Sequence, residues 1–374
     1  MKEALVQPDI SVQIVDSPIP IPETNQIIIK VTYSGSNPKD WKGPSHRTED
    51  GFNSGDDIAG TVHAVGDKVY EFKPGDRVAA FHEMGAPGGS FAEYAVAWQH
   101  TTFHIPEHVT FAEAATIPLA AMTSAIGLYL RLGIPKPWSA NKPTEKQPFL
   151  VYGAASAIGA YAIQFARLSG LHPIIGVAGR GIPFAESLID KSKGDAIIDY
   201  RNGNEAIVTG IKDALKAAGC EGIPLKYSYD GTVKDDSQKN IVAVMGPNGS
   251  NANRVGIPGA SFSARTVDYP KGMTDSITYV GDVHNDDKDF GFLWFRYFAR
   301  LLEDGRLKPH PYEEIAGGLN GVSEGLKNLQ AGKNSGLKYV FNIADTEGIE
   351  KNVIEGAEDA SAALQAATTA GFRV

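Results

Sequence analysis

The sequence predicts an α/β protein built of two units, a β-rich one and a doubly wound parallel sheet, and three observations carry that prediction. The chain has 374 residues, more than one ordinary domain needs. Up to about residue 100 it breaks into short β-branched runs, whereas from Phe149 onward strand-like and helix-like runs alternate, the order of a parallel sheet with right-handed crossovers. Its 41 Gly and 22 Pro are spread along the chain, which places turns between many short elements.

In the first unit, Ile27-Ile28-Ile29-Lys30-Val31-Thr32-Tyr33 and Ala59 to Gly66 read as strands bounded by turn residues. Val78-Ala79-Ala80-Phe81 and Phe91 to Val96 extend the series toward a barrel-like β domain. From Phe111 the pattern turns to Ala-rich helix, through Ala121 to Ala125. After a Pro/Lys-rich loop, Phe149-Leu150-Val151-Tyr152 is a short apolar run of the kind a strand covered on both faces shows. A helix over Ala157 to Leu168, a strand over Pro173 to Ala178, a helix over Phe184 to Lys193 and a strand over Ala196 to Tyr200 follow. Leu225 to Asp230 and Arg254 to Ile257 continue the strands, with helical stretches around Ile211–Ala218 and Gln238–Met245. Phe292 to Glu303 reads as a long helix, Lys338 to Asn342 as a late strand, and the Ala-rich tail after Ile349 as helical. The boundaries expected are 1–122 with 305–374 for the β-rich unit and 123–304 for the doubly wound one.

Composition excludes several classes. Hydrophobic residues at 42% and charged residues at 21% are those of a globular chain. A net charge of −9 argues against a nucleic-acid surface, which needs a basic face. One cysteine, Cys220, rules out an internal disulfide and any zinc site of several thiolates. The N-terminus has no basic segment followed by an apolar one, and no run of about 18 apolar residues is evident, so a cytoplasmic location away from membranes is expected.

The first strand-to-helix turn of the second unit, Gly153-Ala154-Ala155-Ser156-Ala157-Ile158-Gly159, is made of small residues. Such a turn lets backbone and a helix N-terminus approach a pyrophosphate; Gly159 takes the place of the last glycine of the dinucleotide fingerprint, and Ala154 and Ser156 replace the first two. A packing turn is the plain alternative. The second strand ends in Val177-Ala178-Gly179-Arg180-Gly181, without the carboxylate that would hold a ribose 2′-hydroxyl. Arg180 offers a fork for a 2′-phosphate, Gly179 leaves room, and Tyr200 can donate from the far side, so NADPH is the cofactor expected. A solvated surface arginine is the alternative. Asp56-Asp57 reads as a turn pair bonding to backbone, and Gly85 to Gly89 as a flexible loop over the cleft. No Gly-x-Ser-x-Gly elbow supports an esterase.

Several segments, taken in order, resemble a known family: Gly35-Ser36-Asn37-Pro38-Lys39-Asp40-Trp41-Lys42, Gly55 to Val62, Gly75-Asp76-Arg77-Val78, Gly89 to Tyr94, Ala114 to Pro118 with Thr123, the Gly153 turn, and Ser335-Gly336-Leu337-Lys338. All but the C-terminal tail is covered. The chain resembles zinc-independent medium-chain dehydrogenase/reductases of the quinone-oxidoreductase and enoyl-reductase branch, in particular fungal trans-acting enoyl reductases. The resemblance implies a GroES-like catalytic domain, a Rossmann domain, an active site in the cleft between them, NADPH and no metal. Zinc-dependent relatives carry a cysteine near Asn37-Pro38 and Gly-His-Glu at Gly55-Asp56-Asp57, and both are missing here. It also implies roles: Lys42 at the carbonyl or carrier end, Asn37 shaping the pocket, Thr123 at the nicotinamide, and Lys338 at the cofactor. The residues alone leave Lys42 open to being a solvated lysine, Asn37 a turn former, and Thr123 a threonine bonding back to its own helix.

Without a metal, hydride addition to an activated C=C is easier than ketone reduction, because only an enolate oxygen needs stabilising. The expected function is therefore NADPH-dependent reduction of an enone or enoyl thioester, with a small-molecule or carrier-bound acyl substrate and a monomer or homodimer as the assembly. A quinone reductase on the same fold and an NADPH-binding protein without turnover are the competing readings.

Overall fold

β-Branched residues in Ile27-Ile28-Ile29-Lys30-Val31 build the strand around which the first unit is organised. The computed structural model describes residues 1–46, 51–140, 142–232, 235–246, 248–254 and 267–349. Strands β1 (Lys2–Val6) and β2 (Val12–Asp16) form an antiparallel ribbon. Strand β3 (Gln26–Gly35) leads through helix α1 (Pro38–Ser45) to β4 (Asp57–Val65), β5 (Arg77–Phe81), β6 (Tyr94–Trp98) and β7 (Thr102–His104). The strand expected from Phe91 begins only at Tyr94, since Phe91 turns its ring into the core against Phe341. Helices α2 (Phe111–Ala114) and α3 (Pro118–Ala125) follow, and α3 runs on as a π-helical turn over Ile126–Arg131. Contrary to the expected absence of such a stretch, Phe111–Arg131 is long and apolar enough to cross a membrane, but it is mostly buried inside the molecule.

The second unit contains β8 (Phe149–Tyr152), α4 (Ala157–Leu168), β9 (Ile174–Ala178), α5 (Ile182–Leu188), β10 (Ala196–Asp199), α6 (Asn204–Ala217), β11 (Tyr227–Asp230), α7 (Asp235–Val244), β12 (Ser250–Arg254) and β13 (Thr274–Thr278). The six strands pair in parallel in the order β10-β9-β8-β11-β12-β13. Counted from β8 this is the 3-2-1-4-5-6 order of a dinucleotide-binding sheet, with its switch point between β8 and β11. Helix α5 stops at Leu188 and a separate single turn covers Lys191–Lys193, so the expected helix to Lys193 is two pieces, divided at Ile189, whose backbone is extended. Tyr200 starts a short turn beyond β10. The strand expected from Arg254 instead ends there, and 255–257, like the tail after Ile349, lies outside the described residues.

Helix α8 (Lys288–Glu303) returns the chain to the first unit, which gains β14 (Tyr312–Glu314), helix α9 (Val322–Gln330) and β15 (Lys338–Asn342). The first sheet runs β14-β15-β3-β4-β5-β7, with β6 on the first half of β3. One hydrophobic core joins the units: Phe81 and Phe103 of the first sheet, α3, Tyr161 and Phe165 of α4, and Trp294, Phe295 and Phe298 of α8 belong to a single cluster. Side chains of that size contribute about 1.5–3 kcal/mol each on burial, so the walls of the cleft between the sheets are held by shared packing.

Candidate active site

The cleft opens at the carboxyl ends of β8 and β9 and is closed on its other side by α1 and the Gly332–Lys338 segment; its volume is about 430 Å³. Its cofactor side is set by the turn after β8. Gly153 has φ +81°, which a β-carbon would strain and would also push to 2.8 Å from Thr232. Ser156 caps α4: its Oγ donates to the Gly153 carbonyl at 2.7 Å and accepts the Gly159 N–H at 3.1 Å. A β-carbon on Gly159 would collide with the Gly153 carbonyl, so glycine is what lets α4 sit against the turn. The first N–H groups of a helix have no partner within it, and here they face the cleft with the positive end of the helix dipole. Gly153, Ala155, Ser156, Ala157 and Ile158 line the cleft. Ala154 is fully buried behind the turn and Gly159 also lies behind it, so both support the cradle by packing.

Gly179 and Arg180 after β9 and Tyr200 after β10 all line the cleft. A β-carbon on Gly179 would enter the Tyr200 ring, so the glycine lets the phenol lie across the strand end. The Arg180 side chain donates one N–H to the Gly332 carbonyl at 2.7 Å, bridging the two units at the mouth of the cleft. A guanidinium has five N–H donors, so that bond leaves most of the fork available to an anion. Small turn, helix N-terminus, guanidinium and phenol together fit the anionic pyrophosphate and ribose end of a nicotinamide dinucleotide.

On the opposite wall stand Asn37 just before α1, Lys39 and Lys42 of α1, and Lys338 of β15. Asn37 precedes α1 and is 4% exposed; its Nδ2 donates to Asp57 Oδ2 at 2.8 Å and its backbone N–H to Asp40 Oδ2 at 2.7 Å. The Lys338 ammonium donates to Asp57 and, at 3.0 Å, to Asn37 Oδ1. Asp57 Oδ1 accepts the Leu119 N–H at 2.7 Å, tying this cluster to α3. Lys338 therefore reaches the cleft as one half of a buried ion pair. Lys42, half-buried, lines the cleft four residues after Pro38 on α1. Thr123 lines it from α3 while its Oγ1 donates to the Leu119 carbonyl at 2.7 Å, so it bonds back to its own helix and faces the site as well.

The sequence reading of Asp56-Asp57 as a turn pair is corrected by the structure: both are buried, and each faces a lysine. Asp56 lies 2.5 Å from the Lys39 ammonium and Asp40 lies 3.0 Å from it. Burial pushes the Asp40 carboxyl up to about 7 and the Asp56 carboxyl up to about 6, with Lys39 pulling both back down. The Gly85–Gly89 segment is corrected too: a β-carbon on Gly88 or Gly89 would meet Val96 or Asn53, and only Met84 before the segment lines the cleft. Reading the sequence missed Lys39 and Asp40, because adjacent charges of opposite sign look like a solvated run, and it missed the lysine partners of Asp56 and Asp57, because Lys39 and Lys338 are remote from them in the chain. Among the described residues no group of three or more His, Cys, Asp or Glu side chains converges as a metal-binding set.

Fold and site define a medium-chain dehydrogenase/reductase: a nicotinamide-dependent oxidoreductase with a dinucleotide-binding sheet and a separate β-rich catalytic unit. Residues 23–107 match the alcohol dehydrogenase GroES-like domain. The chain is 44% identical over 322 residues to trans-enoyl reductase fsr4 of Gibberella fujikuroi, covering 86% of this chain and 92% of that one. It is 28% identical to the enoyl reductase component lovC of lovastatin nonaketide synthase from Aspergillus terreus, over 87% and 92% of the two chains. The crystal structure of CurK enoyl reductase shares the fold with a TM-score of 0.71 at 18% identity, covering 91% of this chain and 98% of that one. The chain belongs to the trans-enoyl reductase family, and it is an oxidoreductase that reduces enoyl groups with a nicotinamide cofactor.

Proposed function

We propose that the chain reduces the C=C of an α,β-unsaturated acyl thioester with NADPH and without zinc, on a substrate carried by a partner synthase, and that it works in the cytoplasm as a monomer or homodimer. The observation that supports this reading is the cleft itself, which sets a phosphate-binding turn with Arg180 at one end against the Asn37–Lys42 wall at the other. When bound, the reduced nicotinamide supplies the hydride. Gly153 to Ile158 would hold the pyrophosphate, Arg180 and Tyr200 the 2′-phosphate end, and Thr123 would border the nicotinamide. Lys42 approaches the thioester carbonyl, where an ammonium stabilises the negative charge that grows on oxygen as the β-carbon is reduced. Asn37, with its amide fixed on Asp57 and Lys338, keeps the start of α1 in place so that Lys42 keeps its aim. The Asp56 and Asp57 carboxylates are engaged by lysines, which supports chemistry without a metal at this wall. The partner synthase is supported by the likeness to lovC, the enoyl reductase component of a nonaketide synthase.

The test is a screen of NADPH oxidation with enoyl pantetheine thioesters, enones, quinones and saturated ketones. Enoyl thioesters should be reduced, with deuterium from 4-deuterated NADPH at the β-carbon, and saturated ketones should be poor substrates. Lys42→Ala should lower kcat by about 10- to 100-fold with little change in NADPH affinity. Turnover of quinones alone, or label at the carbonyl carbon, overturns the reading.

A further inference from the structure

Cofactor binding and carbonyl activation account for the Gly153 turn, the ends of β9 and β10 and the α1 wall, and they leave without a role the side where Met84 and Val280 line the cleft. Met84 follows β5 in the first unit, and Val280 follows β13 in the second. The segments that carry them pack against each other. The rings of Phe81 and His284 have centroids 5.0 Å apart, and His100 Nε2 bonds to the Val283 carbonyl at 2.9 Å. The seam between the units therefore reaches the cleft as two apolar side chains, one from each unit. Both are held from behind. Before Met84, His82 bonds to the Val96 carbonyl at 2.8 Å and the Glu83 carboxylate accepts the Trp98 indole N–H at 2.7 Å. After Val280, Asp282 is paired with Arg131 at 2.9 Å. Val280 is 5% exposed and belongs to the core shared by the two units, against which the half-buried Met84 also packs.

Resting on the enoyl-reductase reading, we propose that Met84 and Val280 receive the acyl tail beyond the β-carbon and make the chain selective for enoyl groups with a hydrocarbon tail. Among the described residues, the charged ones that line the cleft are Lys39, Lys42, Arg180 and Lys338, and all four stand on other sides of it. Leu329 and Leu337 are apolar too, but they flank the segment that Arg180 ties to the cofactor end through the Gly332 carbonyl. With the carbonyl oxygen at Lys42 and the reacting carbons at Thr123, the seam is the side that offers the tail apolar surface away from the phosphates. Each methylene that leaves water against it raises kcat/KM about fourfold. A charged tail end would lose its water there and find no partner. The unbranched thioether of Met84 changes rotamer at little cost on its fixed backbone, so it fits tails of different shape, while the branched Val280 sets the limit on their width.

The experiment uses the full chain, NADPH and the pantetheine thioesters of 2-butenoic acid, 2-octenoic acid and a 2-octenoic acid whose tail ends in a carboxylate, and it reads the ratios of their kcat/KM values. In the unaltered chain the octenoyl group should exceed the butenoyl group about 50-fold or more, and the terminal carboxylate should cancel that gain. Met84→Trp and Val280→Phe fill the seam and should each lower the octenoyl-to-butenoyl ratio about tenfold or more, through KM more than kcat. Met84→Ala removes contact without adding volume and should lower the ratio about threefold, whereas Leu329→Phe on α9 should leave it within about twofold. Val280 lies in the core, so if Val280→Phe does not fold, the two Met84 variants decide. An unchanged ratio in the folded Met84 variants overturns the proposal. So does a carboxylate-tailed group reduced as well as the hydrocarbon one, or an effect of Leu329→Phe as large as that of Met84→Trp. Failure of the unaltered chain to reduce any enoyl thioester defeats the functional reading itself, whereas reduction without preference for the tail leaves that reading standing and overturns this proposal alone.

Discussion

Lowering the pH from 7 to 5 sets two buried populations of titratable groups against each other. His284 and His310 are 5% and 2% exposed, and burial holds both imidazoles down to about 3. The folded chain keeps them neutral, whereas the unfolded chain protonates them below about 6.5. A histidine depressed in this way stabilises the fold above the unfolded value and loses that contribution as pH falls, at about 2 kcal/mol per ring between pH 7 and pH 5. Asp40 and Asp56 act in the opposite sense. Their raised values, about 7 and about 6, both lie above 5, so the folded chain takes up protons on both that the unfolded chain does not bind until near 3.8, and together they add about 4 kcal/mol at pH 5. His100, held down to about 4, adds about as much as either of the other rings, so the three histidines, at about 6 kcal/mol together, outweigh the two carboxyls. The chain should therefore be about 2 kcal/mol less stable at pH 5 than at pH 7. Urea unfolding followed by tryptophan fluorescence measures it, since Trp294 is fully buried. His310→Phe places a ring where the imidazole meets Phe184 edge-on at 4.9 Å, and should reduce the slope by about 1.4 kcal/mol per pH unit between pH 5 and 6. Equal or greater stability at pH 5 would refute the reasoning, as would a slope that His310→Phe leaves unchanged.

Arg180→Ala should weaken NADPH binding by about 10- to 100-fold, equivalent to about 1.5–3 kcal/mol, and leave NADH nearly unchanged; equal binding of both cofactors by the unaltered chain in a fluorescence titration refutes the assignment. Lys338→Met leaves Asp57 buried without its cation and should cost about 3–5 kcal/mol in urea unfolding, most of which Lys338→Met/Asp57→Asn should recover. If the double variant is no more stable than the single one, the ion pair does not hold this wall together. Dialysis against a chelator should leave turnover unchanged and elemental analysis should find no stoichiometric zinc; activity lost and then regained with zinc contradicts the metal-free reading.

Much of the second unit was legible because its signals are local. The Phe149–Tyr152 run, the small-residue turn and the Ala157–Leu168 helix lie next to one another in the chain, and the structure keeps them as β8, the turn and α4. Strand β13 escaped notice because Thr274-Asp275-Ser276-Ile277-Thr278 is polar, as suits an edge strand with one neighbour. Ribbon β1–β2 was missed for a related reason: each strand is only five residues long and partly exposed, so it carries little of the apolar alternation that marks a strand.

The reactive wall was harder to read because its partners are remote in sequence. Lys338 and Asp57 are 281 positions apart, and only the antiparallel pairing of β15 and β4 with β3 brings them together. Lys39-Asp40 and Asp56-Asp57 each resemble ordinary surface pairs; burial is what changes their chemistry, and burial follows from the sheet register. At Gly35 that register sets Asp57 opposite the strand end from which α1 departs, so the same strand pairing that closes the core also delivers Asn37, Lys39 and Lys42 to one side of the cleft. The ions on this wall are therefore coupled to the position of α1. A substitution that loosens the β3–β4 pairing should disturb the aim of Lys42 and the protonation of Asp56 together, although it touches neither residue.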